Sequence, residues 1–161
     1  MEVDAFLADS VVVADNKLYA QGAGWDSILT GQFPFRQSRI GVGVILDVPW
    51  TATNQMHEFT LKIVDQDGED IPLGDAPPGM DLPGGKVREL KGAFNLGRPP
   101  ILSPGDSQVV PIAINLDGII FQKPGTYEVI IAVDGTEMRK LPVRVRPLVQ
   151  MPGAPQAPTA A

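Results

Sequence analysis

Hydrophobic and polar residues alternate with a period of two along most of this chain, which is the pattern of half-buried β-strands. The residues predicted to face inward in the clearest runs are Ile40, Val42, Val44, Leu46 and Val48; Phe59, Leu61 and Ile63; Tyr127, Val129, Ile131 and Val133; and Leu141, Val143 and Val145. Two further runs add Leu90, Phe94 and Leu96, then Val110, Ile112, Ile114 and Leu116. Helical periodicity is nearly absent.

Turn signals separate these runs. An Asp15-Asn16-Lys17 turn divides two apolar runs near the start, Asp67-Gly68 follows an alternating run, and Pro111 indicates an edge strand or a bulge. A single helical turn capped by Thr51 is the one helical candidate. Turn signals at intervals of about 8–12 residues are typical of an antiparallel sandwich or barrel. The sequence therefore predicts an all-β, antiparallel immunoglobulin-like β-sandwich with at most one short helical turn, closed by a hairpin over residues 125–147.

The domain organisation follows from composition. Residues 1–147 are predicted to form one β-sandwich domain, which is a normal size for a single core. Residues 148–161 are rich in Pro and Ala and carry no charged side chain, so we expect a disordered tail. Two long loops, residues 71–86 and 97–108, are expected to be mobile or functional.

Charge and cysteine content exclude several classes of function. The net charge of −6 disfavours binding to nucleic acid, whose phosphates an acidic surface repels. The chain has no cysteine, which excludes disulfides, thiolate catalysis and cysteine-ligated metal sites. No apolar stretch approaches the roughly 20 residues of a membrane span, and the first residues are acidic where a signal peptide would be basic. We expect a cytoplasmic protein without membrane contact.

Five residues are candidates for binding: Trp25, Asp26, Trp50, Asn54 and His57. Exposed tryptophans stack on sugars or anchor protein partners, whereas buried ones fill cores; core packing is favoured for Trp50, and both roles stay open for Trp25. His57 is the only histidine. As a general base it would need an orienting carboxylate and a nucleophile, and the simpler expectation is pairing with Asn54 or the backbone.

Two charged clusters have structural interpretations. The run Asp65-Gln66-Asp67-Gly68-Glu69-Asp70 lacks the glycine and glutamate spacing of an EF-hand, so a turn explains it without calcium. Lys140, Arg144 and Arg146 lie on one side of the last strand. Such a basic stripe could bind an acidic partner, but it is more often the polar outer face of a strand or charged protection of a sheet edge. No catalytic motif is present, and we expect no catalytic residue, no metal and no cofactor.

Three segments together resemble an uncharacterised family of bacterial single-domain proteins, a domain of unknown function. They are residues 8–28, residues 48–68, and residues 124–145 with their Asp134-Gly135 turn. The shared pattern is Gly24-Trp25-Asp26, Pro49-Trp50, Asn54, His57 and Asp65-x-Asp67-Gly68. Together with the segments between them, the resemblance spans about nine-tenths of the chain. The Pro/Ala-rich tail lies outside it. The resemblance implies an immunoglobulin-like sandwich and brings no activity, ligand or catalytic residue.

Two functional hypotheses remain at this point. The first is a non-catalytic interaction or structural module with a protein partner, either as a homo-oligomer or in a larger assembly. The second is a sandwich that binds a small ligand or carbohydrate through exposed tryptophan. An enzyme is a distant third, because the chain contains no recognisable catalytic set.

Overall fold

The computed structural model describes residues 1–149. Within them the chain forms twelve β-strands and two 3₁₀ turns, Trp50–Ala52 and Pro83–Gly85. The strands are β1 (Glu2–Ala8), β2 (Ser10–Ala14), β3 (Lys17–Gln21), β4 (Ser27–Thr30), β5 (Phe35–Val48), β6 (Met56–Val64), β7 (Gly74–Asp75), β8 (Lys86–Val87), β9 (Glu89–Asn95), β10 (Gln108–Phe121), β11 (Gly125–Val133) and β12 (Thr136–Pro147). The all-β prediction is confirmed.

Two sheets carry the core. A three-stranded sheet has the order β1-β5-β10, and a curled five-stranded sheet has the order β4-β12-β11-β6-β9. Neighbouring strands are antiparallel with one exception, because β4 pairs parallel with the end of β12. The ribbons β2-β3 and β7-β8 are separate two-stranded pairs. The hairpin predicted over residues 125–147 is confirmed as β11 and β12.

The inward residues predicted for the strongest runs form the core. In β5, for instance, Ile40, Val42 and Val44 have no exposed surface, and the same holds for Ile131 in β11. The residues of the two weaker runs are only half-buried, apart from Leu116 of β10, which is buried. Strands β9 and β10 lie at sheet edges, where one flank has no neighbouring strand to cover it. Pro111 lies in β10, so the predicted edge position is confirmed.

Within β10 the alternation of buried and exposed side chains changes phase at Gly118. Leu116 is buried, Asp117 is exposed, and Gly118 has a φ of +72°, a conformation that glycine adopts without steric cost. Beyond it Ile119 and Phe121 are the buried residues. Glycine thus changes which face the following side chains occupy, and simple period-two reasoning does not anticipate these two core residues.

The helical prediction needs two corrections. A 3₁₀ turn does occur at Trp50–Ala52, but Pro49 precedes it as N-cap without a side-chain bond, so the capping role predicted for Thr51 is wrong. A second segment, Pro83–Gly85, exceeds the single turn expected; Gly84 there has a φ of +65° and interrupts any regular helix. Both segments are short connections and contribute no buried residue.

The sequence predicts that the β-sheet domain ends at residue 147, but its hydrogen bonding extends one residue further. The Leu148 backbone N–H donates to the Thr30 carbonyl at 2.8 Å. The remainder of the predicted tail, residues 150–161, lies outside the described residues. No helix in residues 1–149 is long and apolar enough to cross a membrane.

Candidate functional site

His57 begins the buried side of β6 and is 5% exposed. Its Nδ1 lies 2.7 Å from a carboxylate oxygen of Asp134, and its Nε2 lies 2.7 Å from the Ala52 carbonyl oxygen. Phe94 packs against the ring at a centroid distance of 5.3 Å. The second Asp134 oxygen accepts the Glu58 N–H at 2.9 Å. The predicted backbone partner is therefore present, while Asn54 is exposed and is not the partner.

This arrangement favours the imidazolium form of His57. Both partners are hydrogen-bond acceptors, and only the protonated ring has an N–H for each of them. The Ala52 carbonyl and then the Asp134 carboxylate raise the pKa of His57 above its usual value, although burial opposes them. The same contact lowers the pKa of Asp134. In that form both nitrogens donate, the ring has no lone pair available to accept a substrate proton, and it acts as a clamp that joins the β5–β6 and β11–β12 connections.

Trp50 and Asn54 lie beside this clamp. The Arg98 guanidinium lies over the Trp50 ring, 4.3 Å from its centroid, within the range of a cation–π contact. The same guanidinium donates to the Thr53 hydroxyl at 2.6 Å and to the Trp50 carbonyl at 3.1 Å. Asn54 has a φ of +58° and donates its backbone N–H to the Leu96 carbonyl at 2.7 Å. Arg98 thus fixes the long loop before β10 onto the turn that carries Trp50.

Trp25 and Asp26 lie elsewhere, between the two sheets. The backbone of this segment bridges them, because Gly24 N–H donates to the Leu7 carbonyl of β1 and Arg144 N–H donates to the Asp26 carbonyl. Trp25 is half-buried against the core, and its indole N–H is buried without a partner among residues 1–149. Asp26 accepts hydrogen bonds from Ser27 and Arg144, which lower its pKa. The five predicted residues therefore form two groups, not one site.

The acidic run forms a turn. One Asp65 oxygen accepts the backbone N–H groups of Asp67 and Glu69 at 2.9 and 3.0 Å, and these bonds together with nearby Lys123 lower the Asp65 pKa. Lys123 contacts Asp67 at 3.0 Å. No group of three potential metal-ligating side chains occurs within residues 1–149. These contacts give Asp65 and Asp67 a structural role in the turn.

The basic residues of the last strand are paired in part. Lys140 lies 3.7 Å from Glu128 and 3.4 Å from Glu137, and Arg144 pairs with Asp26. Strand β12 is an internal strand where β4 flanks it, over Arg144–Pro147, so edge protection does not explain the charges there. The remaining part of β12 is flanked on one side only by β11.

A feature that the sequence reasoning did not identify is the outer surface of the three-stranded sheet. We call its upper half the open face, consisting of Phe6, Ile45, Val109 and Pro111. Val109 is 66% exposed and Ile45 is 37% exposed. Phe6 lies across Gly43, where an added Cβ would be 2.4 Å from the ring. These side chains share one face of the sheet, because residues that are paired across neighbouring strands point to the same side. Pro111 is paired with Ile45, and Phe6 is paired with Gly43.

The lower half of that sheet surface is covered by the β2-β3 hairpin. Val11 is buried there, and its N–H and carbonyl are bonded by the side-chain amide of Asn115 at 3.0 and 2.8 Å. Ser10 comes within 3.1 Å of the Cβ position at Gly41, so a side chain at position 41 would crowd this crossing. The β2-β3 hairpin therefore covers this surface as far as the border of the open face.

Three carboxylates flank the open face: Glu2, Asp4 and Asp47. Asp47 lies opposite both Glu2 and Val109, and Asp4 lies opposite Ile45. None of the three forms an ion pair within residues 1–149, and one oxygen of Asp47 is buried without a hydrogen-bond partner there. The sequence contained a signal for this surface, since Ile45, Val109 and Pro111 are apolar at outward positions.

A cleft of about 540 Å³ lies at the other end of the domain. Its lining joins the start of β5, the end of β10, the β10–β11 connection and the β6–β7 connection. Arg36, Ile120, Lys123 and Ile71 represent these four parts in that order. This volume is within the range of about 300–1,000 Å³ that is usual for small-ligand sites. None of the five predicted site residues lines it.

Comparisons with known proteins add one finding. No curated protein and no solved structure gave a significant match to the chain. A protein-family model, described as a family of unknown function (DUF6941), matches residues 3–146, which is nearly the whole β-sheet structure described above. The chain belongs to this family of unknown function, DUF6941.

Proposed function

We propose that this protein is a non-catalytic protein-interaction module, and that its open face binds the partner. One observation carries the proposal: exposed apolar side chains and unpaired carboxylates share that surface. Exposed apolar patches on a folded domain are typical of interaction sites. The clamped state of His57 supports a non-catalytic role, because the only histidine of the chain has no free nitrogen.

The charge of the open face determines the chemistry of the partner. Glu2, Asp4 and Asp47 form no ion pair among the described residues, so a bound surface that supplies Lys or Arg would neutralise them. A second copy of this chain would bring the same three carboxylates together, and like charges at an interface are costly. The occupant we propose is therefore a different protein that presents apolar side chains together with Lys or Arg.

The face of the sheet is a better candidate than its edge. Pro111 lies in the edge strand β10 and has no N–H to donate, which weakens the addition of another strand. The alternative of a tryptophan platform for carbohydrate has less support, because Arg98 covers one face of Trp50 and Trp25 is half-buried. Homo-oligomerisation, if it occurs, would use another surface.

The proposal includes an immunoglobulin-like version of the sandwich. The strand orders support it, since β1, β5 and β10 form one sheet while β6, β11 and β12 lie together in the other. The Tyr127 hydroxyl near the start of β11 donates to the Lys123 carbonyl at 2.8 Å, as in the tyrosine corner of such domains. A bacterial source and a cytoplasmic location also belong to the proposal, the latter supported by the absence of cysteine.

The test compares two matched variants. Val109→Arg places a cation beside the carboxylates of the open face, and Leu29→Arg makes the same change at a site that is 62% exposed on β4. After both are shown to fold, each is used for quantitative affinity capture from the source cells. We expect a partner captured by the wild type and by Leu29→Arg to be lost with Val109→Arg, and to be released by high salt. Equal capture by both variants would contradict the proposal.

A further inference from the structure

The cleft at the lower end of the domain has an unusual distribution of charge. Three cations line it, and two of them already have partners: Lys86 contacts Asp75, and Lys123 lies 3.0 Å from Asp67. The third, Arg36, forms no ion pair and no hydrogen bond of its side chain within residues 1–149. Arg36 is exposed, and it is the cation of the cleft that has no side-chain partner among the described residues.

The Arg36 guanidinium lies against the backbone of Gly118. An added Cβ at Gly118 would lie 2.7 Å from Nη2 and 3.0 Å from Nε, so the group occupies the space that any other residue would fill. Gly118 has a positive φ, and it is the residue at which the buried face of β10 changes. The neighbouring Asp117 does not compete for the guanidinium, because it is bound by Arg39 at 2.6 and 3.1 Å.

The remaining lining limits the charge of a ligand. Asp65, Asp75 and Asp117 balance the three cations of the lining in number, so a group with one negative charge matches the single charge of Arg36 better than a group with two. A planar guanidinium matches the two oxygens of a carboxylate in a bidentate pair. Ile71, Pro72 and Ile120 offer apolar surface in the same cleft.

We propose that this cleft binds a monocarboxylate with a short apolar part, its carboxylate on Arg36 and its apolar part on Ile71 and Ile120. The ligand is either a free carboxylic acid or the C-terminus of a peptide, since both present the same group. This site is separate from the open face and does not depend on the function proposed for it.

Titration followed by amide NMR tests the proposal. The probes are hexanoate, an N-acetylated Ala-Val-Leu tripeptide with a free C-terminus, the same tripeptide amidated, and inorganic phosphate. We expect saturable shifts of the Gly118 and Ile120 amides with hexanoate or with the free tripeptide, and none with the amidated tripeptide or phosphate. Hexanoate binding alone would identify a small acid as the ligand class, and tripeptide binding alone a peptide C-terminus.

Two variants make the test specific. Arg36→Gln should weaken binding about tenfold or more, a factor that corresponds to about 1.4 kcal/mol. Arg139→Gln is the control, because it removes the same charge from an exposed position on β12 outside the cleft. The proposal is overturned if no carboxylate gives saturable shifts, if phosphate or the amidated peptide binds equally well, or if Arg36→Gln and Arg139→Gln behave alike.

Discussion

Truncation of Ile131 should destabilise the domain far more than the same truncation one residue earlier. Ile131 has no exposed surface and lies in β11 between Leu61 of β6 and Arg139 of β12, whereas Ile130 is half-exposed on the opposite face. Removing a fully buried isoleucine side chain costs about 2–5 kcal/mol, because a cavity remains where its methyl groups packed. That loss is a large share of a total stability of about 5–15 kcal/mol.

The assay is urea denaturation of Ile131→Ala, Ile131→Val and Ile130→Ala beside the wild type. We expect about 2–5 kcal/mol for Ile131→Ala, about 0.5–1.5 kcal/mol for Ile131→Val, and a smaller loss than Ile131→Ala for Ile130→Ala, with the denaturant slope unchanged. The midpoint of thermal unfolding should fall by roughly 2–4 °C for each kcal/mol lost. A larger loss for Ile130→Ala than for Ile131→Ala would mean that the two faces of β11 are assigned the wrong way round.

Three further predictions concern local contacts. Because the folded pKa of His57 is raised above about 6.5, its contribution is complete below that pH and is lost as the pH rises through the folded pKa; His57→Gln should therefore cost more stability at pH 6 than at pH 9, and a constant difference would refute the clamp. Asn115→Ala removes two bonds to Val11, so hydrogen exchange of the β2-β3 amides should accelerate while the core amides stay protected. Gly43→Ala should destabilise by about 1–3 kcal/mol, and Gly97→Ala, with open space around its Cβ position, should not.

Much of the fold could be predicted from period-two alternation, since the inward residues of β5, β6, β11 and β12 are the buried core. The alternation fails where the backbone departs from a regular strand. Gly118 reverses the faces of β10, and a glycine in an apolar run does not reveal its φ to sequence reasoning. The pairing of β4 with β12 was also unpredictable, because a four-residue strand carries too little pattern to identify its partner.

The candidate sites were predicted less well, for a related reason. Sequence reasoning singled out rare residue types, and two of these, His57 and Trp50, are held by contacts within the domain. The open face depends on residues from β1, β5 and β10 that meet only through strand register. Arg36 is the unpaired cation among the described residues of the cleft because Lys86 and Lys123 contact carboxylates, and those contacts exist only in the folded chain.

Position-specific photo-crosslinking tests the proposed interaction most directly. A photoreactive benzoylphenylalanine is placed at Val109 on the open face or at Ile101, an exposed loop residue outside it, and each protein is irradiated in the source cells. We predict one discrete adduct with another protein from position 109 and none from position 101, with the adduct abolished when Asp4 and Asp47 are both changed to Asn in a protein that still folds. An adduct of two copies of this chain, equal adducts from both positions, or no adduct at position 109 would contradict the assignment of the open face.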